Sequence, residues 1–176
     1  PWFEQSSMYV GVDIASANNL ADVVADVVRL PFAQAVFDCV VCSQVMEHIA
    51  QPHVLLAESY RVTKPGGWLI LSAPMTWRHH EIPYDFYRYT RYGIRYLVES
   101  AGFSVQSVVQ NGGAWSVVGQ TFASAFDGCV QSPTLRPLKA VTLFAANTIF
   151  AFLDRVNYND ENTSNFAVLA RKADAE

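Results

Sequence analysis

The chain has 176 residues, of which 51% are hydrophobic and 16% are charged, and its formal net charge is −4. This length suits a single domain. The apolar content excludes a disordered or collagen-like chain, and the acidic balance excludes a basic module that binds nucleic acid. Three cysteines do not make a disulfide framework. No segment has the pattern of a signal peptide, so we expect a cytoplasmic protein.

Hydrophobic runs of strand length alternate with segments of helical period along most of the chain. Pro52 begins one predicted helix, which ends near Val62 because a proline–glycine–glycine turn follows at residues 64–67. Thr90 is the predicted N-cap of a second helix, and Gly102 follows its end. This alternation predicts an α/β fold with a mostly parallel, Rossmann-like sheet and helices on both faces. The predicted strands cover residues 9–14, 22–28, 37–43, 68–73, 103–109 and 165–171.

Two apolar helical segments, residues 114–126 and 138–156, precede the last predicted strand. We expect them to form a helical insertion or lid, residues 112–160, within the domain. The apolar core of the second segment, residues 141–153, is interrupted by Asn147 and is shorter than the about 20 residues that a membrane span needs. We therefore predict a buried, lid or interfacial helix and no transmembrane segment.

Five motifs in a fixed order resemble those of the class I S-adenosylmethionine-dependent methyltransferases. The resemblance covers about residues 9–110 and the last strand, and it implies a Rossmann-like fold with S-adenosylmethionine as the cofactor. A further segment, residues 80–90, resembles a type 11-like subgroup of small-molecule methyltransferases that is often associated with cell-surface saccharide or lipid pathways. The five motifs are Val10-Gly11-Val12-Asp13-Ile14, Asp26 with Leu30-Pro31-Phe32, Phe37-Asp38, Glu47-His48 and Arg61-Val62-Thr63-Lys64-Pro65-Gly66-Gly67.

The first strand and the glycine-rich loop of that family are not found in the sequence. The resemblance therefore implies a single methyltransferase-like domain, residues 1–176, that is truncated at its N-terminus and is a fragment of a longer protein. The strands at residues 9–14 and 37–43 would then lack the strand that separates them in the family. We expect them either to pair directly or to have the gap filled by a second chain.

The resemblance places the cofactor along the carboxyl ends of the strands, where open α/β sheets bind ligands. Asp13 would accept hydrogen bonds from the ribose hydroxyls, with Ile14 against the adenine. Asp26 would accept a hydrogen bond from the adenine amino group, beside the backbone of Val27. The alternatives are that Asp13 caps the turn that follows it and that Asp26 is a solvated acid at a strand end.

Two further pairs of residues lie close to the same predicted edge. Ser43 and Gln44 end a strand, where the family contacts the amino-acid end of the cofactor. They are equally compatible with loop residues that satisfy their own hydrogen bonds. Glu47 and His48 would orient the site, or would form a helix-turn pair bonded to the backbone.

The segment that leads to Thr90 supplies the candidates for acceptor binding and catalysis. His80 is the predicted acid–base residue, because imidazole titrates near neutral pH, and Asp85 is its predicted catalytic neighbour. Tyr84, Tyr87 and Arg88 are predicted to shape the acceptor pocket. The alternative is that this aromatic-rich loop only packs against the domain.

Two groups of residues contain metal-binding side chains but lack the spacing of a metal site. Cys39 and Cys42 are three apart in a strand, so their sulfurs would point to opposite faces, and we expect both cysteines to lie in the core. Residues 79–81 are adjacent and adjacent residues rarely share one ion, while His48 and His53 have no matching spacing. The sequence therefore predicts no metal ion.

Together these features predict S-adenosylmethionine-dependent methyl transfer to a small or lipid- or saccharide-linked acceptor. The alternative is a non-catalytic interaction module of the same fold that binds no cofactor. The expected partners include no nucleic acid. They do include peripheral contact with a membrane, and a homodimer formed through the apolar helices or the gap left by the missing strand.

Overall fold

The computed structural model describes residues 8–14, 21–129 and 132–174. Six strands alternate with four α-helices and two short 3-10 helices along these residues. The strands are β1 (Val12–Asp13), β2 (Val23–Val24), β3 (Phe37–Ser43), β4 (Thr63–Pro74), β5 (Ser104–Asn111) and β6 (Asn165–Arg171). The helices are α1 (Pro52–Val62), α2 (Arg91–Ser100), α3 (Ala114–Cys129) and α4 (Arg136–Val156), with 3-10 turns at Met46–His48 and Pro133–Leu135.

The larger sheet has four strands in the order β3-β4-β6-β5. β3 is parallel to β4, whereas β6 is antiparallel to both β4 and β5. Three of its strands therefore run in one direction and only β6 is reversed, so the predicted α/β fold with a mostly parallel sheet is confirmed. The bounds of β3, α1 and β6 agree with the predicted ones.

The first two strands form a separate parallel sheet and are shorter than predicted. Only two residues of each strand are in the ladder, where the sequence predicted strands over 9–14 and 22–28. Side chains bond to the backbone on both sides of the ladder: the Asp22 carboxylate accepts from the Gly11 amide at 2.7 Å, and Asp26 accepts from the Val28 amide at 3.0 Å. Within the described residues β1 pairs with β2 and not with β3, so direct pairing of the strands at 9–14 and 37–43 is not observed.

β4 begins five residues earlier than predicted. Thr63 pairs with Phe37, and the ladder resumes where Trp68 pairs with Cys39, so residues 64–67 form a bulged turn between two paired positions. Gly66 has a φ of +74°, a left-handed conformation that glycine adopts without strain. The end of β6 secures this turn, because the Lys172 amide donates to the Gly67 carbonyl at 2.9 Å.

The main core lies between one face of the larger sheet and helices α1 and α2. Leu69, Leu71 and Ala73 alternate along β4 and are fully buried. They belong to one hydrophobic cluster with two leucines of α1 and two residues of α2, namely Leu55, Leu56, Ile94 and Val98. Burial of each larger side chain contributes about 1.5–3 kcal/mol. Alternate residues of the same strand face the other way, and Ile70 remains 43% exposed.

The capping signals of α2 are confirmed. The Thr90 hydroxyl accepts a hydrogen bond from the Gly93 amide at 3.0 Å, which satisfies one of the amide donors of the first turn. Gly102 follows the helix with a φ of +101°. These two residues fix where α2 begins and ends, and thereby the direction in which the segment before Thr90 enters the helix.

Helices α3 and α4 follow β5 and precede β6 in the chain, and they pack against each other. Asp154, near the end of α4, contacts the start of α3. Its carboxylate accepts from the backbone amides of Gly113, Trp115 and Ser116 at the start of α3 and from the Ser116 hydroxyl. No described side chain of α4 is buried, so a buried helix, one of the predicted alternatives, is excluded. The helix has 21 residues and is long and apolar enough, by length and composition, to cross a membrane. This corrects the expectation that it is too short.

Candidate functional site

A polar groove lies at the carboxyl ends of β3 and β4. The Ser43 hydroxyl is 2.9 Å from that of Ser72, and the Gln44 side-chain amide donates to the same Ser72 oxygen at 3.1 Å. Gln44 has a φ of +53°, which turns the chain away from the sheet immediately after β3. The groove has a volume of about 330 Å³, which lies within the usual range for small-molecule sites. It is lined by Ser43, Gln44, Ser72, Asn111, Asn165, Phe166 and Ala167.

The two predicted carboxylate ligands lie at the carboxyl end of the smaller sheet. Asp13 is exposed, ends β1 and is paired in register with Val24, and Asp26 is exposed two residues further along. One oxygen of Asp26 accepts from the Val28 amide, which is the turn-stabilising role expected of a strand-end acid. Ile14 is 70% exposed, and its side chain presents apolar surface next to Asp13. Val27 is half-buried and packs against the core.

An ion pair between Asp85 and Arg88 fixes the loop that precedes α2. The guanidinium donates to both carboxylate oxygens, at 2.7 and 3.0 Å, and the Asp85 side chain is only 4% exposed. Asp85 also accepts from the His79 imidazole at 3.1 Å and from the His80 amide at 3.2 Å. The Arg88 guanidinium holds the pKa of Asp85 well below its usual range. Asp85 is therefore a weak base that positions the loop.

Arg88 also donates hydrogen bonds to three backbone carbonyls, those of Trp77, Arg78 and Tyr87. Its guanidinium is thus occupied within the loop, whereas the sequence predicted it as a residue that binds the acceptor. The two predicted tyrosines differ: Tyr84 is 65% exposed, and Tyr87 donates its hydroxyl hydrogen to the Ala50 carbonyl at 3.0 Å. Hydrogen bonds within the chain therefore hold Arg88 and Tyr87 in their positions, as the packing alternative expected.

The same loop covers the 3-10 turn after β3. The amides of Phe86 and Tyr87 donate to the Glu47 carbonyl at 3.0 and 3.2 Å. The His48 Nδ1 lies 2.7 Å from the Tyr84 carbonyl oxygen, so this histidine is bonded to the backbone, as one of its predicted alternatives required. The rings of His48 and His80 meet edge to face with their centroids 4.6 Å apart. The sequence did not predict that His48 and His80 meet, because they are more than thirty residues apart.

The cysteines are free thiols in different surroundings. Cys42 packs against the core, and burial raises its pKa to about 12. Cys39 is exposed, so its expected place in the core is wrong. The reason is that the two residues point to opposite faces of β3, and the Cys42 face packs against the core beneath α1 and α2.

Residues 2–71 match a methyltransferase-domain family. The chain is 39% identical over 74 residues to demethylmenaquinone methyltransferase of Beutenbergia cavernae, covering 41% of this chain and 31% of that enzyme. It is 31% identical over 117 residues to an uncharacterized protein from a transposon of Streptomyces fradiae, covering 66% of this chain and 30% of that protein. The chain thus spans about a third of the length of these curated relatives.

Solved structures share the fold at low sequence identity. A SAM-dependent methyltransferase from Archaeoglobus fulgidus has a TM-score of 0.55 and 16% identity, covering 93% of this chain and 75% of that one. The cyclase SpnF has a TM-score of 0.53 and 15% identity, covering 87% of this chain and 56% of that one. The fold is that of the Rossmann-like methyltransferases. Residues 2–71 thus match a methyltransferase domain, and most of the chain shares the fold of solved methyltransferases.

Proposed function

We propose that this chain is part of an enzyme that transfers a methyl group from S-adenosylmethionine to a small or lipid- or saccharide-linked acceptor. The observation that carries the proposal is the polar groove at the carboxyl end of β3 and β4, formed in a chain whose residues 2–71 match a methyltransferase domain. The groove lies where open α/β sheets bind nucleotide-like ligands.

The residues present fit this cofactor. Exposed carboxylates at the ends of neighbouring strands suit its hydroxyl and amino donors, and Asp13 would hold the ribose while Asp26 would hold the adenine amino group. Ser43 and Gln44 would face its charged amino-acid end. When bound, the cofactor supplies a methyl group that is already activated by a sulfonium, so the protein mainly has to hold the acceptor in line with it.

His80 is the residue proposed to accept a proton from a hydroxyl or amine acceptor. Its Nδ1 lies 3.2 Å from the Arg78 carbonyl oxygen, so the neutral imidazole donates from Nδ1 and keeps its lone pair on Nε2. The ring is 27% exposed and is therefore accessible to an acceptor. Asp85 orients the same segment by accepting from the His80 amide.

Calorimetric titration with S-adenosylhomocysteine tests the cofactor site. We expect micromolar binding by the chain and at least tenfold weaker binding by Asp13→Ala, equivalent to about 1.4 kcal/mol. Asp38→Ala is the matched control, because Asp38 is also an exposed strand acid but lies at the opposite end of β3 and pairs with Lys64. Absence of binding by the unchanged chain, or equal weakening in the control, would favour the non-catalytic module.

The exposed helical pair α3–α4 supports a lipid-linked acceptor. Phe144 and Phe152 of α4 are 76% and 61% exposed, and further exposed apolar residues lie along the same helix. Exposed aromatic and aliphatic side chains on a helix insert into the interfacial region of a bilayer. We therefore propose that α4 makes peripheral contact with a membrane.

Vesicle flotation tests that contact. We expect the chain to float with phosphatidylglycerol-containing vesicles, and Phe144→Asp combined with Phe152→Asp to reduce the floated fraction at least tenfold. Tyr92→Asp combined with Tyr96→Asp is the control, because these aromatic residues are as exposed but lie on α2. If the unchanged chain stays in solution and sediments as a dimer, the apolar helices serve association between copies instead.

A further inference from the structure

Three side chains outside the polar groove converge behind the loop that precedes α2. Glu47, His48 and His80 each offer a ligand atom, and these atoms lie within 4.8 Å of one another. We propose that they form a binding site for a divalent transition cation of the zinc class. The site shares His80 with the proposed methyl transfer, but cation binding is measured without the cofactor and so holds or fails independently of cofactor binding.

The surroundings of the Glu47 carboxylate are the strongest evidence that a cation binds here. The side chain is fully buried, and neither carboxylate oxygen accepts a hydrogen bond from another residue within the described ranges. A buried carboxylate without a partner is unfavourable by several kcal/mol on the general scale for charge burial, unless it is protonated or binds a cation. Burial raises the pKa of Glu47. A cation bound between Glu47 and the histidines would satisfy its oxygens.

Both imidazoles are oriented by backbone carbonyls. The Nδ1 of His48 lies 2.7 Å from the Tyr84 carbonyl oxygen, and the Nδ1 of His80 lies 3.2 Å from that of Arg78. A carbonyl oxygen only accepts, so each Nδ1 carries the hydrogen and each Nε2 keeps a lone pair. Such a bond from the second nitrogen is the usual support of a histidine that binds a metal through the first. The His48 Nε2 lies 3.9 Å from a Glu47 oxygen.

Two imidazoles and one carboxylate are a ligand set that zinc uses where other positions stay open to water or a ligand. The His48 and His80 side chains are 18% and 27% exposed, which leaves solvent a path to the site. The charged and titratable groups around Glu47 are the two histidines, Arg88, Cys42 and Tyr89. The guanidinium is already paired with Asp85, so its charge is balanced before a cation enters.

Cation binding and proton acceptance at His80 exclude each other, because the neutral ring has one lone pair. A loaded site would therefore replace the imidazole as the group that promotes deprotonation, since a bound divalent cation lowers the pKa of an oxygen that it coordinates. The plainer alternative is that Glu47 is kept protonated. The two differ in whether the metal-free chain takes up a stoichiometric cation.

The test is titration of the tag-free, chelator-treated chain with Co²⁺, followed by visible absorption, and with Zn²⁺ by calorimetry. We expect one equivalent to bind, with at least 100-fold weaker binding by Glu47→Gln and by His80→Ala. His53→Ala is the control, because this histidine is exposed on α1 outside the cluster. Absence of saturable binding by the unchanged chain, or equal weakening in the control, overturns the proposal.

Thermal unfolding of the same proteins separates lost binding from lost folding. Glu47→Gln is nearly isosteric and removes the charge, so we expect both it and the unchanged chain to unfold cooperatively without metal. Zn²⁺ should raise the unfolding temperature of the unchanged chain and of His53→Ala and leave that of Glu47→Gln where it was. A rise of the same size in Glu47→Gln contradicts the site.

Discussion

Gly67→Ala is expected to destabilise the chain by about 2–3 kcal/mol, a typical effect of overpacking in a tight site. A Cβ added at this position would lie 2.9 Å from the Asp38 carbonyl oxygen and 2.9 Å from that of Lys64. These atoms belong to the backbone of β3 and of the turn itself, so neither moves away without disturbing the ladder. Relief would require the β3–β4 pairing to open at the bulge next to Phe37.

Urea unfolding followed by tryptophan fluorescence measures the effect of Gly67→Ala. Gly128→Ala is the matched control, because a Cβ there meets no atom within 4 Å and the residue lies in helix α3, where alanine is the better helix former. We expect the control to be neutral or slightly stabilising. Equal midpoints for the two variants would show that the turn adjusts and that its tight packing does not contribute to stability.

Local signals explain which elements were predictable from the sequence. Pro52 begins α1 and the proline–glycine–glycine turn follows it, so both ends of that helix depend on residues within a few positions. Thr90 and Gly102 act on α2 in the same way. Strand β3 was predictable because the apolar residues 39–42 follow one another directly and are flanked by Asp38 and Ser43.

Hydrogen bonds from side chains to the backbone explain where the sequence-based strand bounds were wrong. The strands before and after residue 20 shorten because Asp22 and Asp26 bond to nearby amides, which propensity does not reveal. The turn after β2 is held by Arg61, whose guanidinium donates to the carbonyls of Leu30 and Phe32 from helix α1. The contacts of Arg61 join residues about thirty positions apart, so no local pattern predicts them.

In the candidate site, too, the residues marked by local signals were predictable and those brought together by the fold were not. Asp13, Asp26, Ser43 and Gln44 could be identified because each lies at or just after the end of a strand, and strand ends are visible in the sequence. Their roles as ligands of a cofactor stay predictions. The cluster of Glu47, His48 and His80 was not predicted, because the sequence compared only residues 79–81 and the pair His48 and His53. The path of the loop between residues 75 and 90, which brings His80 to the other two, depends on the buried ion pair within it.

That dependence makes Arg88→Met the second large effect: we expect it to destabilise the chain by about 3 kcal/mol. The substitution keeps an apolar stem but removes the hydrogen bonds to Asp85 and to three carbonyls, and it leaves a carboxylate that is only 4% exposed without its cation. Removing one partner of a buried ion pair typically costs about 3–5 kcal/mol, and the 24% exposure of Arg88 places the expected value at the lower end.

Arg95→Met is the control for this prediction. Arg95 also pairs with an acid, Glu99, but both side chains are more than 40% exposed on α2, and such pairs contribute about 0.3–0.5 kcal/mol. Urea unfolding gives the global effect, and limited proteolysis shows whether the loop at residues 75–90 opens first. Because Phe86 and Tyr87 bond to the Glu47 carbonyl, loss of the ion pair should also weaken cation binding at Glu47. Similar midpoints for Arg88→Met and Arg95→Met would mean that the loop is held by its aromatic packing, and the cluster behind it should then keep its geometry without the ion pair.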